Sequence, residues 1–173
     1  PSEDDTFISA TSSLTAPAGI KVFDPAWKNY KSIVVSETAG VNRVNEPVEV
    51  LLPFYPDEAN DLKREIRVVA VNPKDFSITE IPSQVFDIQK YTKEDDLDPD
   101  ENGKPTREIP LWMPTVTARL AFLADVPAKT SCVYLVYYNN EKALSKTYQT
   151  DLKVQGELPG LSIENSKISL MLH

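Results

Sequence analysis

The chain has 173 residues, 41% of them hydrophobic and 25% charged, which is the balance of one folded domain rather than of a disordered segment. Its formal net charge of −8 repels phosphates, so nucleic acid and anionic membrane surfaces are excluded as expected partners. No stretch of the sequence is apolar for long enough to predict a membrane span. The 14 prolines oppose long helices, because proline inside a helix costs about 3 kcal/mol.

The first predicted element is an aromatic turn near the N-terminus. Phe23, Trp27 and Tyr30 are spaced four and three residues apart, and the Asp24-Pro25 pair after Phe23 is typical of a helix start. We expect residues 25–31 to form a short helix or turn whose aromatic side chains pack against the domain. The alternative is an exposed platform for stacking sugar rings, with Trp27 as a candidate carbohydrate-binding residue.

From Ser32 onward the sequence shows the period-two alternation of β-strands, with turn residues between the segments. Strands are predicted at 32–37, 46–54, 65–71, 77–82, 83–89, 115–126, 144–154 and 160–165, with a helical or turn insertion at 55–65. The run SCVYLVYY at 131–138 is apolar on both faces, which predicts a central strand covered on both sides. The pattern indicates an all-β fold, an antiparallel barrel or sandwich with short helical insertions.

The C-terminal residues 167–172 alternate apolar and polar side chains, as in a strand. Because a strand needs pairing partners, we expect the chain to be a fragment whose continuation supplies them. The polar N-terminus is typical of an end left after removal of a signal or tag. The predicted organisation is an N-terminal extension at 1–31, a β-domain at 32–158, and a linker with the first strand of a following domain at 159–173.

An acidic loop predicted before the 115–126 strand carries the candidate metal ligands. Asp98, Asp100 and Asn102 alternate ahead of Gly103, the spacing with which calcium loops present oxygen ligands. Ile109 stands where such a loop places its glutamate, so a solvated acidic loop is the favoured explanation of the pattern. Calcium is therefore a candidate ligand, and no cofactor is required.

The remaining residues with reactive or aromatic side chains limit the chemistry further. His173 and Cys132 are the only histidine and cysteine, so neither a Ser-His-Asp triad nor a zinc site can be assembled within the chain. Arg43 and Glu46 are expected to form an ion pair at a strand entry rather than a catalytic acid. Trp112 is a second candidate for stacking on sugars, and an ordinary core position is the alternative.

The ordered set of strand segments resembles the N-terminal RIFT barrel of exo-rhamnogalacturonan-lyase-like and related bacterial polysaccharide-degrading proteins. The segments are RVNEPVEVLLPF, EIRVVAV, EIPSQVFD, RLAFLADVPAKTSCVYLVYYNN and GLSIENSKISLML, and the resemblance covers residues 31–173. It implies a β-supersandwich after the barrel, with the catalytic residues beyond this chain.

The resemblance implies a function as well as a fold. The chain is then a non-catalytic N-terminal domain of an exported polysaccharide lyase or glycoside hydrolase, secreted, periplasmic or on the cell surface. Its expected partners are the polysaccharide and the rest of its own polypeptide. The domain packs on the catalytic module and can border the cleft of that module. The alternatives are a self-standing carbohydrate-binding or adhesion module with calcium in the acidic loop, and a self-contained enzyme.

Overall fold

The computed structural model describes residues 8–13, 23–55, 58–90, 101–102 and 116–172. The described elements are eleven strands and one four-residue helix. In chain order they are β1 (Ile8–Ser13), β2 (Asn29–Ser36), β3 (Arg43–Phe54), α1 (Leu62–Glu65), β4 (Arg67–Val71), β5 (Ile78–Ile81), β6 (Ser83–Lys90), β7 (Val116–Val126), β8 (Ser131–Tyr138), β9 (Lys153–Gln155), β10 (Leu161–Glu164) and β11 (Ser169–Leu172). The predicted all-β fold is confirmed.

The strands form three antiparallel sheets. Sheet A has the order β1-β2-β8-β4-β5, sheet B the order β3-β7-β6, and sheet C the order β11-β10-β9. The inner faces of sheets A and B pack on each other around one core, as in a β-sandwich. None of the described sheets closes into a barrel, so of the two predicted architectures the sandwich is the one observed.

Period-two alternation places the core residues. On β3 the side chains of Val48, Val50 and Leu52 point into the core. On the paired strand β7, Phe122 lies beside Val48 and Leu120 beside Val50, on the same inner face of sheet B. Their polar or smaller neighbours point away from the core, as the sequence predicts.

Strand β8 is the central strand of sheet A, between β2 and β4. Its neighbouring residues Leu135 and Val136 point to opposite faces and are both fully buried. The prediction of a central strand covered on both sides is therefore confirmed. The covering of the outer face is supplied in part by the aromatic turn before β2, through Phe23 and Trp27.

The insertion predicted at 55–65 forms the crossover from sheet B to sheet A, and its last four residues are helical. Asp61 is the N-cap and accepts the Arg64 backbone N–H, while the Glu65 carboxylate accepts the Asp61 N–H. Leu62 and Ile66 are buried in the core at this end of the sandwich. The short helix is thus held by a reciprocal cap and by two apolar anchors rather than by its length.

The N-terminal aromatic segment is a turn without a helix. Asp24 closes it by accepting the Trp27 N–H through its carbonyl at 3.0 Å and the Ala26 N–H through its carboxylate at 2.9 Å. Strand β2 begins at Asn29, inside the predicted 25–31 segment. Strand β1 was not predicted, because its sequence ISATSS lacks the alternation on which the other strands were identified.

Two expectations for the C-terminal region are wrong. A strand over 144–154 was expected, but residues 144–152 are irregular and β9 begins only at Lys153. Near residue 144 the backbone carbonyls accept hydrogen bonds from side chains rather than from a neighbouring strand. Strand β11 pairs with β10 within the chain, so one partner strand lies here and not in a continuation. The predicted boundary after Leu158 falls between β9 and β10 of sheet C.

Truncating a core residue of β7 tests which face of sheet B is inside. Leu120 is fully buried, whereas Leu123 on the same strand is 53% exposed on the opposite face. We expect Leu120→Ala to lower the free energy of unfolding by about 2–5 kcal/mol in urea titrations, since it leaves a cavity. The matched Leu123→Ala change is expected to cost less than about 1 kcal/mol. Equal losses would contradict the sandwich arrangement.

Candidate functional site

Two surfaces of the described chain combine exposure with a defined arrangement of side chains. The first, which we name the Trp27 depression, is a shallow cavity of about 400 Å³ beside the aromatic turn. Its lining comprises Phe23, Asp24, Trp27, Arg67, Glu80, Asn140 and residues 142–146. The second is one face of sheet C.

The aromatic turn fixes one wall of the Trp27 depression. The Phe23 ring stacks on Tyr137 of β8 with centroids 5.0 Å apart, and the Trp27 ring is tilted against Phe23 at 6.0 Å. The Arg67 guanidinium lies over the Trp27 ring, 5.2 Å from its centroid. The prediction that the aromatic residues pack on the domain is confirmed, and Trp27 remains partly exposed where it lines the cavity.

Two arginines hold the opposite wall. Arg64 donates from Nη1 to the carbonyls of Glu141 and Ala143, both at 2.6 Å, and Arg67 donates from Nη2 to the carbonyl of Leu144 at 2.6 Å. We name residues 140–150 the strap. Charge-assisted hydrogen bonds of this length are stronger than neutral ones, so they explain how an irregular segment keeps a defined path.

Glu80 ties the strap to the edge strand β5. Its Oε1 accepts the Tyr148 hydroxyl at 2.8 Å and lies 2.6 Å from the Lys146 Nζ and 3.7 Å from the Arg67 Nε. Burial, followed by the hydrogen bond to Glu80, raises the pKa of Tyr148 to about 12. One carboxylate is therefore shared by two cations and a phenol.

Sheet C is amphipathic, with one wholly apolar face. Strand register aligns Val154 and Leu170 with Ile163, and Leu161 with Leu172, and period two puts all five on the same side. The other side carries the alternate residues Lys153, Gln155, Ser162, Glu164, Ser169 and Met171. No described residue from 151 to 172 is buried. We name the first side the apolar face of sheet C.

The other predicted site residues are only partly described. Asp98, Asp100 and Trp112 lie outside the described residues, and Asn102 is an exposed turn residue. Within the described ranges no three His, Cys, Asp or Glu side chains are grouped so as to hold a metal ion. The Arg43–Glu46 ion pair is present at 4.0 Å, as predicted.

No helix of the described chain is both long and apolar enough to cross a membrane.

Sequence patterns identified part of these surfaces. Trp27 and the alternation at 167–172 were visible in the sequence, whereas Arg67, Glu80 and the strap join them only through contacts between distant segments. The acidic, basic and polar residues of 140–150 carry no local signal of such contacts.

No protein-family model, curated protein or solved structure matches this chain.

Because its pKa is raised, Tyr148 is predicted to contribute to the loss of folding stability at alkaline pH. Between the ordinary value near 10 and the folded value of about 12, the unfolded phenol loses its proton first, so stability falls as pH rises. Replacing Tyr148 with Phe removes that proton, and we expect the slope of unfolding free energy between pH 10 and 11.5 to flatten. Solvent screening at a partly exposed group limits the change to about 1 kcal/mol per pH unit.

Urea unfolding at pH 9, 10, 11 and 11.5 measures that slope. The control is Tyr55→Phe, which removes the hydroxyl of an exposed tyrosine after β3. A Tyr148→Phe slope identical to wild type would contradict the contact with Glu80.

Proposed function

We propose that this chain is a non-catalytic, N-terminal β-sandwich domain of an exported bacterial polysaccharide-degrading enzyme, a lyase or glycoside hydrolase. It packs on the catalytic module of the same polypeptide through the apolar face of sheet C. The observation that carries the proposal is that this face is uniformly apolar and that none of its five side chains is buried among the described residues. The resemblance of the strand segments supports the polysaccharide context and the exported location.

A three-stranded sheet with one apolar side gains its stability by covering that side. Val154 and Leu170 are each about half exposed, so this burial is still to be gained from a second surface. The opposite, polar side of the sheet is suited to solvent. The alternation thus distinguishes a surface shaped for packing from apolar residues scattered singly, which carry no such meaning.

The size of the face favours a tethered partner over a free one. Three strands about 4.8 Å apart, each with about four residues at 3.3 Å, give a face on the order of 200 Å². Stable complexes of free proteins bury about 800 Å² on each partner. A module on the same polypeptide needs less surface, because its effective concentration reaches about the millimolar range. A second copy of this chain is therefore the less suitable occupant.

Site-specific photo-crosslinking tests the packing. In the full-length gene product that contains this chain, a benzophenone amino acid replaces Leu170, or Met171 as the matched control on the opposite side of the same strand. We expect Leu170 to give intramolecular crosslinks to residues outside this domain, identified by mass spectrometry, and Met171 to give few. Crosslinks to a second copy, crosslinks confined to this domain, or equal yields from both positions would contradict the proposed packing.

The same preparation tests the non-catalytic role. The chain of residues 1–173 alone is expected to release no products from acidic polysaccharides under conditions in which the full-length protein does. Turnover by the isolated chain would overturn that assignment without bearing on the crosslinks.

A further inference from the structure

The Trp27 depression carries features of a binding site that the packing role does not use. We propose that it binds a carboxylate-bearing sugar unit, such as a uronate residue of an acidic polysaccharide. The inference rests on the proposed function for its saccharide context. It uses no residue of sheet C, so the two can fail separately.

The shape of the depression suits a ring-sized ligand. Its volume of about 400 Å³ falls in the range of about 300–1,000 Å³ that small-molecule sites occupy. The partly exposed rings of Phe23 and Trp27 form an apolar wall on which the C–H face of a sugar ring can pack. Because Arg67 and Tyr137 hold these two rings, the wall is formed before a ligand arrives.

The local charge is opposite to that of the whole protein. Cationic Arg67, Lys142 and Lys146 line the depression together with anionic Asp24 and Glu80, in a chain whose net charge is −8. A surplus of positive charge in a concave surface raises the local concentration of anions. An acidic sugar is therefore favoured over a neutral one at this place.

Lys142 is the cation best placed to serve a ligand. Arg67 and Lys146 already contact the Glu80 carboxylate, whereas Lys142 makes no ion pair within the described ranges and its side chain is exposed. Its backbone N–H donates to Asn140 Oδ1 at 3.1 Å, and the carbonyls on either side of it, at 141 and 143, are bound by Arg64. The Lys142 side chain is exposed, and these hydrogen bonds hold the backbone from which it projects.

Hydrogen-bonding groups are also present on the lining. Asn140 is 8% exposed and uses its Oδ1 for the Lys142 N–H, which leaves its amide N–H₂ on the side chain that lines the depression. Ser145 adds an exposed hydroxyl. An aromatic wall, a carboxylate-binding cation and polar groups for ring hydroxyls together specify an acidic sugar rather than a small inorganic anion.

Tryptophan fluorescence provides the readout. The chain has two tryptophans, so a Trp112→Phe background makes Trp27 the sole indole. Trigalacturonate is titrated at low salt, with maltotriose as the matched neutral trisaccharide. We expect a saturable change in Trp27 emission with trigalacturonate and at least tenfold weaker binding of maltotriose. If Trp112→Phe lowers stability, the indole N–H resonances of the wild-type chain supply the same readout.

Charge reversal then locates the site. Lys142→Glu is expected to weaken trigalacturonate binding at least fivefold, and Lys142→Arg to retain it. Lys74→Glu makes the same change in net charge on the exposed β4–β5 turn and is expected to leave binding within twofold of wild type.

Three results would overturn the inference: no saturable signal, equal binding of maltotriose, or equal weakening by Lys74→Glu. None of these variants touches sheet C. Leu170 crosslinks that persist while sugar binding fails would therefore reject this site alone, and the reverse result would reject the packing alone.

Discussion

The crossover from sheet B to sheet A is the constraint on which the rest of the structure depends. It runs from the end of β3 to the start of β4 at one end of the core, where Lys31 of β2 is almost fully buried. Glu58 in the crossover lies 3.6 Å from the Lys31 Nζ and accepts the Tyr138 hydroxyl at 3.0 Å. Burial lowers the pKa of Lys31 even though Glu58 opposes this, so desolvation outweighs the ion pair. The Lys31–Glu58 ion pair therefore positions the crossover at this end of the sandwich, and it adds little net stability.

The position of the crossover determines where the functional surfaces form. Arg64 at its helix and Arg67 at the start of β4 reach the strap carbonyls, and these contacts build one wall of the Trp27 depression. The strap then leads the chain from the sandwich to sheet C. A displacement of α1 would remove the Arg64 donor from the Glu141 and Ala143 carbonyls at once, so the crossover and the strap are physically coupled.

Alternation predicted the strands that supply the core, because burial on one face of β3 and β7 requires it. The central position of β8 was predicted from a different signal, its run of apolar residues on both faces. Alternation did not distinguish a sandwich from a barrel, because a barrel forms only if the edge strands of the sheet pair with each other. Strands β5 and β6, on either side of Pro82, belong to different sheets. The strap at 140–150 was mistaken in part for a strand because the guanidinium groups that satisfy its carbonyls come from about 77 residues earlier.

The surfaces were predictable to the extent that they are local. Trp27 and the 167–172 alternation stand out in the sequence, but the charge of the depression depends on Arg67 and Glu80, far along the chain from Trp27. The apolar face of sheet C becomes visible only when register brings Val154 beside Ile163. Sequence pattern indicates which residues are available, and strand pairing decides which of them share a surface.

Amide hydrogen exchange by NMR tests most directly whether the crossover holds the strap. The Ala143 N–H donates to the Asn140 carbonyl at 2.9 Å, within the region that Arg64 binds. The account predicts that Arg64→Met speeds exchange of the Ala143 amide at least tenfold, with a smaller change at Leu120 in the core, and that Lys63→Met changes neither. Unchanged exchange at Ala143 in Arg64→Met, or an equal increase at Ala143 and Leu120, would contradict it.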